Sequence, residues 1–348
     1  MPTIRIGNLN VENLLNRFNF HSYGRLTRER VMELFDLDRS GTETLLLRKG
    51  LTISLSDDSR QQTAQVIRDT QADVICLQEV ENKETLDGFH EGYVEKSTGV
   101  RYGWRRVVEG NDLRGIDVGV MAKERITVRS HQHWTFDDFG LFNDDLADYG
   151  LVPNGRIFRR DCLQIDLKAD GVPLTLFACH FKSMSGGRAK TRCVREAEAK
   201  AVRRIVESTF GDDVGNANWA ILGDLNDYVE DNRGTPDPGH ALGALLDDGF
   251  SVNLVARRPV GDRWTHYYPK DGSAHQIDYI MASPGLAERN AEAVPDIIRR
   301  GQPYRVEVPA FGGVPAFNES SLRRYPRTGF DRPKASDHCA VAVSLNID

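Results

Sequence analysis

Polar residues suited to acid–base and metal chemistry stand where the apolar runs of this chain end. Asn10 and Glu12 follow IRIGNL, Gln78 and Glu79 follow DVICL, and His180 closes LTLFAC. Asp224 and Asn226 follow WAILG, Asp278 lies inside HQIDYIM, and Asp337 and His338 precede CAVAVSL. Residues at strand ends can converge, because neighbouring strands lie only ~4.8 Å apart. Four carboxylates held that closely (Glu79, Asp224, Asp278 and Asp337) repel one another, and a hard cation relieves the repulsion. Carboxylate and amide oxygens are ligands for Mg²⁺ rather than for zinc. The two histidines supply protons or hydrogen bonds in the accessible pH range. Acid, amide, imidazole and a hard metal in one place suit attack of water on phosphorus, where charge on the equatorial oxygens must be neutralised.

The elements that would carry these residues are short and apolar. Runs at 3–9, 73–78, 117–122, 163–167, 174–179, 219–222, 276–281 and 339–345 read as strands. Their continuous apolar character predicts cover on both faces. A helix is predicted over 59–70, ahead of DVICLQ. A longer one is predicted over 188–208, with Val194, Ala197, Ala201 and Ile205 on one stripe. The mixture is α/β. Neither a Pro/Ser-rich linker nor a solenoid repeat divides the chain. One domain over 1–348 is expected, with loop insertions near 16–58, 132–160 and 295–335.

Composition narrows the classes. The 348 residues hold 45 Lys+Arg against 51 Asp+Glu, a net charge of −6, with 40% hydrophobic and 28% charged residues. That balance excludes global disorder. No apolar run approaches the ~20 residues of a membrane span. The start, MPTIRIGNLN, has neither the basic opening nor the apolar stretch of a signal peptide, so a cytoplasmic location is expected. Five cysteines without CxxC spacing argue against a zinc ribbon or a disulfide framework. Cys76, Cys179 and Cys339 read as small buried hydrophobes. Mild acidity disfavours a general nucleic-acid coat but leaves room for a local basic groove.

Seven stretches carry a resemblance: LNVENL (9–14), LQEVEN (77–82), RGIDVGVM (114–121), HFKS (180–183), GDLND (223–227), IDYIM (277–281) and SDHCAV (336–341). In this order they resemble the endonuclease/exonuclease/phosphatase superfamily, the metal-dependent phosphoesterases built like deoxyribonuclease I, and most closely its bacterial nuclease-type members. The resemblance implies a four-layer α/β/β/α sandwich of two mixed sheets face to face, with the site at one end. It implies Glu79 as principal ligand of a Mg²⁺ or Mn²⁺ ion, with Asn10 and Asp337 close by. Asp224 resembles the residue that orients or deprotonates the attacking water, and Asn226 the amide that holds a phosphate oxygen or a ligand water. His338 resembles the catalytic histidine, Asp278 its carboxylate partner, and His180 the second histidine. Which of Asp224 and His338 takes the proton stays open.

Other residues are expected to play lesser parts. Glu12 reads as structural, and His131, His133, His266 and His275 read as lying outside the site. Lys182, in the donor-rich loop before the long helix, is a candidate phosphate contact. Arg188, Arg192 and Arg195 form a stripe roughly opposite the apolar one and are candidate substrate contacts. Arg299, Arg300, Arg305, Arg323, Arg324 and Arg327 form a second basic group. The leading expectation is a nuclease acting on DNA or RNA, with no obligate protein partner. The alternatives are a phosphoesterase for a small substrate (a phosphoinositide, a sphingolipid head group or a nucleotide) and a scaffold without catalysis. The scaffold predicts lost site residues, whereas the main positions are filled.

Overall fold

The eight apolar runs all become strands, and they are the inner strands of two sheets. The structure, a computed structural model, describes residues 2–14, 57–112, 115–134, 140–141, 143–151, 155–231, 233–306, 310–311, 314–315 and 323–348. The insertion expected near 16–58 lies outside these residues except at 57 and 58.

In chain order the strands are β1 (Thr3–Leu14), β2 (Val74–Val80), β3 (Trp104–Val108), β4 (Asp117–Ala122), β5 (Ile126–Trp134), β6 (Cys162–Ala169), β7 (Val172–His180) and β8 (Trp219–Asp224). Then come β9 (Val252–Asn253), β10 (His266–Tyr268), β11 (Ser273–His275), β12 (Asp278–Ala282), β13 (Asp296–Ile298), β14 (Ala310–Phe311), β15 (Val314–Pro315) and β16 (Ala340–Asn346). One six-stranded sheet has the order β13-β16-β1-β2-β4-β3, and the other has β5-β6-β7-β8-β12-β9. Both are mixed. Only β1–β2 and β7–β8 are parallel pairs among them, and parallel neighbours require long crossovers. The first crossover ends in α1 (57–70), and the second is α3 (Arg188–Phe210), while α2 (Lys83–Phe89) follows β2.

Side-chain alternation explains the layers. In β2, Val74 and Cys76 face the other sheet and pack with Ile4, Ile6, Leu163, Ile165, Leu176 and Leu222. Ile75 and Leu77 point the opposite way, against Ala64 and Ile67 of α1 and Leu86 and Phe89 of α2. On the far side, Phe177, Trp219, Ile221 and Tyr279 meet Val194, Ala197, Ala201 and Ile205 of α3. A strand covered on both faces is apolar at every position. The result is helix, sheet, sheet, helix: the expected sandwich.

Candidate active site

Both sheets deliver their polar residues to the same end. In each, two parallel strands finish there and an antiparallel strand begins: β1 and β2 with β16, and β7 and β8 with β12. Asn10 pairs with Gln78, one residue before Glu79. Asp224 pairs with His180 on one side and Asp278 on the other. Gly223 permits that register, because a Cβ there would lie 2.0 Å from the Cys179 carbonyl oxygen.

Glu79 and Asn226 sit in left-handed backbone, φ 67° and 51°, which costs a non-glycine residue of order 1–3 kcal/mol. Hydrogen bonds offset it. The Asn13 N–H donates to Glu79 Oε2 at 2.9 Å, and the Asn226 N–H to Asp224 Oδ1 at 2.9 Å.

Asp224 is the hub. Its Oδ2 accepts from Asn10 Nδ2 at 3.1 Å and Asn226 Nδ2 at 3.0 Å. The same oxygen lies 3.5 Å from His180 Nε2 and 3.7 Å from His338 Nε2. His338 Nδ1 is 2.9 Å from Asp278 Oδ2, a contact that calls for the proton on Nδ1. Thr265 Oγ1 accepts the Asp278 N–H at 3.0 Å, and Ser336 Oγ accepts the His338 N–H at 3.0 Å while donating to the Asn10 carbonyl at 2.7 Å. Asn10, His180, Asp224, Asn226, Asp278 and His338 are therefore one buried cluster. Glu79 follows Gln78, the strand partner of Asn10, and Asp337 follows Ser336, whose hydroxyl meets the Asn10 carbonyl.

Electrostatics divides the labour. Burial pushes the Asp224 carboxyl up, His338 pulls it down, Asp278 pushes it up again, and the outcome is about 7. Burial lowers the His338 imidazole, but Asp278 and Asp224 outweigh it and hold the ring well above its ordinary range. Asp337 is raised by burial and lowered more strongly by His338, Lys334 and His266 together, to about 2. Asn10, Glu79 and Asp337 offer only amide and carboxylate oxygens, with Asp337 held ionised. That donor set fits a hard divalent ion.

Several residues stand differently from the expectation. His266, expected outside, lies with its ring centroid 4.8 Å from that of His338, and its ligating atom is within 4.8 Å of those of Asp337 and His338. Its three-residue strand is too short for any periodicity, so the sequence carries no signal for this placement. Glu12, read as structural, does not depart from that reading: it pairs with Arg332 at 2.5 Å and Lys334 at 2.9 Å. The arginine stripe is not an open basic face. Arg195 is fully buried against Asp227 at 3.2 Å. Arg188 binds Asp227 and Asp237 at 2.5 Å each and lies over the Tyr228 ring at 3.6 Å. Arg192 pairs with Glu196 at 2.7 Å. Lys182 donates its backbone N–H to Glu198 at 2.7 Å and its ammonium to the Ser183 carbonyl at 3.0 Å. In the second basic group, Arg299 is buried on Asp262 and the Trp264 carbonyl, Arg300 meets Asp69, and Arg327 meets Asp58. For Arg188, Arg195 and Arg299 the physical reason is shared: an aspartate brought near by the fold holds the guanidinium through charge-assisted hydrogen bonds.

Residues 50–338 match the family described as Endonuclease/Exonuclease/phosphatase. The chain belongs to that family. The matched span holds Glu79, His180, Asp224, Asn226, Asp278, Asp337 and His338, and only Asn10 precedes it. Among solved structures, truncated TDP2 from Caenorhabditis elegans is 13% identical, with a TM-score of 0.53 over 99% of this chain and 97% of that one. The human nocturnin catalytic domain with bound sulfate is 11% identical, with a TM-score of 0.52 over 100% and 95%. A mannosyl-6-phosphatase from Bacteroides thetaiotaomicron is 12% identical, with a TM-score of 0.52 over 99% and 99%. At these identities the likeness concerns the fold. No curated protein matches the sequence. Family membership marks the chain as a phosphoric ester hydrolase, and among the described residues no helix is long and apolar enough to cross a membrane.

Proposed function

We propose that this family member is a Mg²⁺- or Mn²⁺-dependent phosphodiesterase that hydrolyses DNA or RNA by in-line attack of water. The observation that supports it is the Asp224 carboxylate, fixed by two amides and facing two imidazoles. A carboxyl near 7 is matched to accepting a proton at neutral pH, where general bases work best. His338, kept as imidazolium by Asp278, is already protonated, so the reading assigns Asp224 as base and His338 as a cationic donor to a non-bridging phosphate oxygen. His180 donates from the other side. Asn226 holds its backbone and amide against Asp224 and so aims it. A divalent ion held by Asn10, Glu79 and Asp337 would neutralise charge on the phosphoryl group.

A second reading, a small phosphoester substrate, is favoured by the internal pairing of Arg188, Arg192 and Arg195. One panel separates the two: plasmid, single-stranded DNA, RNA, an inositol phosphate and an aryl phosphodiester, each with and without chelator. Metal-dependent turnover of the polymers supports the first reading. Turnover of the inositol phosphate with inert polymers supports the second, and undiminished turnover of any substrate by rigorously metal-free protein overturns both.

A further inference from the structure

The long helix α3 reaches the floor of the site through three side chains on one stripe, Arg188, Arg195 and Glu198. Arg195 and Asp227 have no exposed side-chain surface, and they meet at 3.2 Å. The other Asp227 oxygen takes Arg188 Nε at 2.5 Å, and Oδ2 also accepts the Ala241 N–H at 2.9 Å. Asp227 follows Asn226 directly, so it anchors the Asp224–Asn226 loop. Its carbonyl accepts the Tyr279 hydroxyl at 3.0 Å, which ties in the residue after Asp278.

The same guanidinium reaches the other catalytic segment. Arg195 Nη1 donates to the Lys182 carbonyl at 3.4 Å, and Nη2 donates to the Arg188 carbonyl at 2.8 Å. Glu198, also buried, accepts the Lys182 N–H at 2.7 Å and the Arg159 N–H at 3.3 Å. The Phe181 carbonyl accepts from Asn226 Nδ2 at 3.1 Å and Arg160 Nη1 at 2.8 Å. The Lys182 N–H and carbonyl and the Phe181 carbonyl all lie within two residues of His180. The Arg195 and Glu198 side chains make these contacts with backbone, Asp227 and Thr191 rather than with His180 or Asp224.

We infer that the buried Asp227–Arg195 pair, with Glu198, is a positioning device that sets the spacing of His180 and Asp224 from behind. The inference rests on the proposed phosphodiesterase reading for its kinetic consequence, but not for its structural one. It also accounts for arginines that sequence assigns to substrate. The strand register alone brings His180 opposite Asp224, but the chain leaves the sheet at both residues, and the 3.5 Å separation of the side chains is then governed by how the two outgoing loops are held.

The experiment replaces the pair by apolar side chains of similar volume, Asp227→Leu with Arg195→Met. Exchanging both partners of a buried ion pair leaves stability nearly unchanged far more often than removing one. The expected result is a folded protein with a moved His180 ring Cε1–H resonance in metal-free protein. Its kcat should be about a hundredfold lower with KM little altered, the size of loss that a displacement of ~1 Å produces. Lys200→Gln, an exposed change on the same helix, should move none of these. A folded double variant with unchanged kcat and unchanged His180 resonance overturns the inference. If the wild-type protein hydrolyses no phosphate ester, the function falls, and the resonance alone decides the positioning. Should the double variant not fold, Arg195→Lys keeps the charge but loses the forked contacts to the Lys182 and Arg188 carbonyls, and the same resonance and rate decide.

Discussion

Replacing Asp278 by Asn removes a charge from the centre of the site and leaves the volume in place. His338 Nδ1 lies 2.9 Å from Asp278 Oδ2, and its Nε2 lies 3.7 Å from Asp224 Oδ2. An opposite charge at ~4 Å is worth ~4 kcal/mol at an effective dielectric of ~20, which corresponds to about three pKa units. Burial already lowers the ring, and Asp224 alone must then counter it. His338 should therefore lose most of its elevation, because burial is then opposed by Asp224 rather than by both carboxylates. The imidazolium is then less populated at working pH, and because a positioned acid–base group contributes ~10²–10⁴-fold, turnover of an aryl phosphodiester should fall by up to that factor. What activity remains should decline as pH rises through the neutral range, where wild type still climbs as Asp224 ionises near 7. Stability follows the same sign. A raised histidine stabilises the folded state fully below its ordinary value of 6.5 and loses that contribution as pH rises through the folded value. The deficit of Asp278→Asn should thus be largest in acid and narrow in alkali. Rates over pH, with a ¹³C-labelled histidine titration, measure both. A variant with the wild-type profile and an unshifted His338 resonance would refute the assignment of Asp278 as the group that keeps the ring charged.

Glu79→Gln should weaken Mn²⁺ binding measured by calorimetry, whereas His338→Ala should leave binding nearly intact and lower turnover ~10²–10⁴-fold. Arg195→Gln should destabilise the protein to chemical denaturation by less than the ~3–5 kcal/mol of a fully stranded buried charge, because Arg188 and the Ala241 N–H still hold Asp227; a loss below ~1 kcal/mol, the range of exposed pairs, would count against the buried contact. Arg192→Gln should leave the salt dependence of DNA binding unchanged, against a slope change of ~0.9 for a true phosphate contact. Asp73, which accepts the Arg5 N–H at 2.8 Å and pairs with Arg125, is lowered by those partners although burial opposes them. It stabilises the fold above the ordinary value of 3.8 and loses this as pH falls through its folded value. The penalty of Asp73→Asn, read by urea melts, should therefore be full at neutral pH and shrink in acid.

The eight runs legible in the sequence are β1, β2, β4, β6, β7, β8, β12 and β16, the inner strands of the two sheets. The edge strands β3, β5, β9 and β13 were not legible, nor was the hairpin of β10 and β11. The division is physical. An inner strand is covered on both faces and must be apolar throughout, whereas an edge strand tolerates the charges and short lengths of WRRVV or DII. The candidate residues follow the inner strands: Asn10, His180, Asp224, Asp278 and His338 stand at their ends, so their convergence is legible from type and spacing. The partners of the arginines were another matter. Arg188, Arg192 and Arg195 look alike on a helical wheel, yet Arg195 is sealed inside and Arg192 is at the surface. The difference comes from Asp227, 32 residues further on, which β8 carries to the foot of α3. His266 likewise reaches His338 only because the chain folds back across 72 residues to form a single bridge. Residue type and local period report on what a position needs, burial or water. Which charge meets which depends on loop closures between distant segments, and no local pattern encodes them.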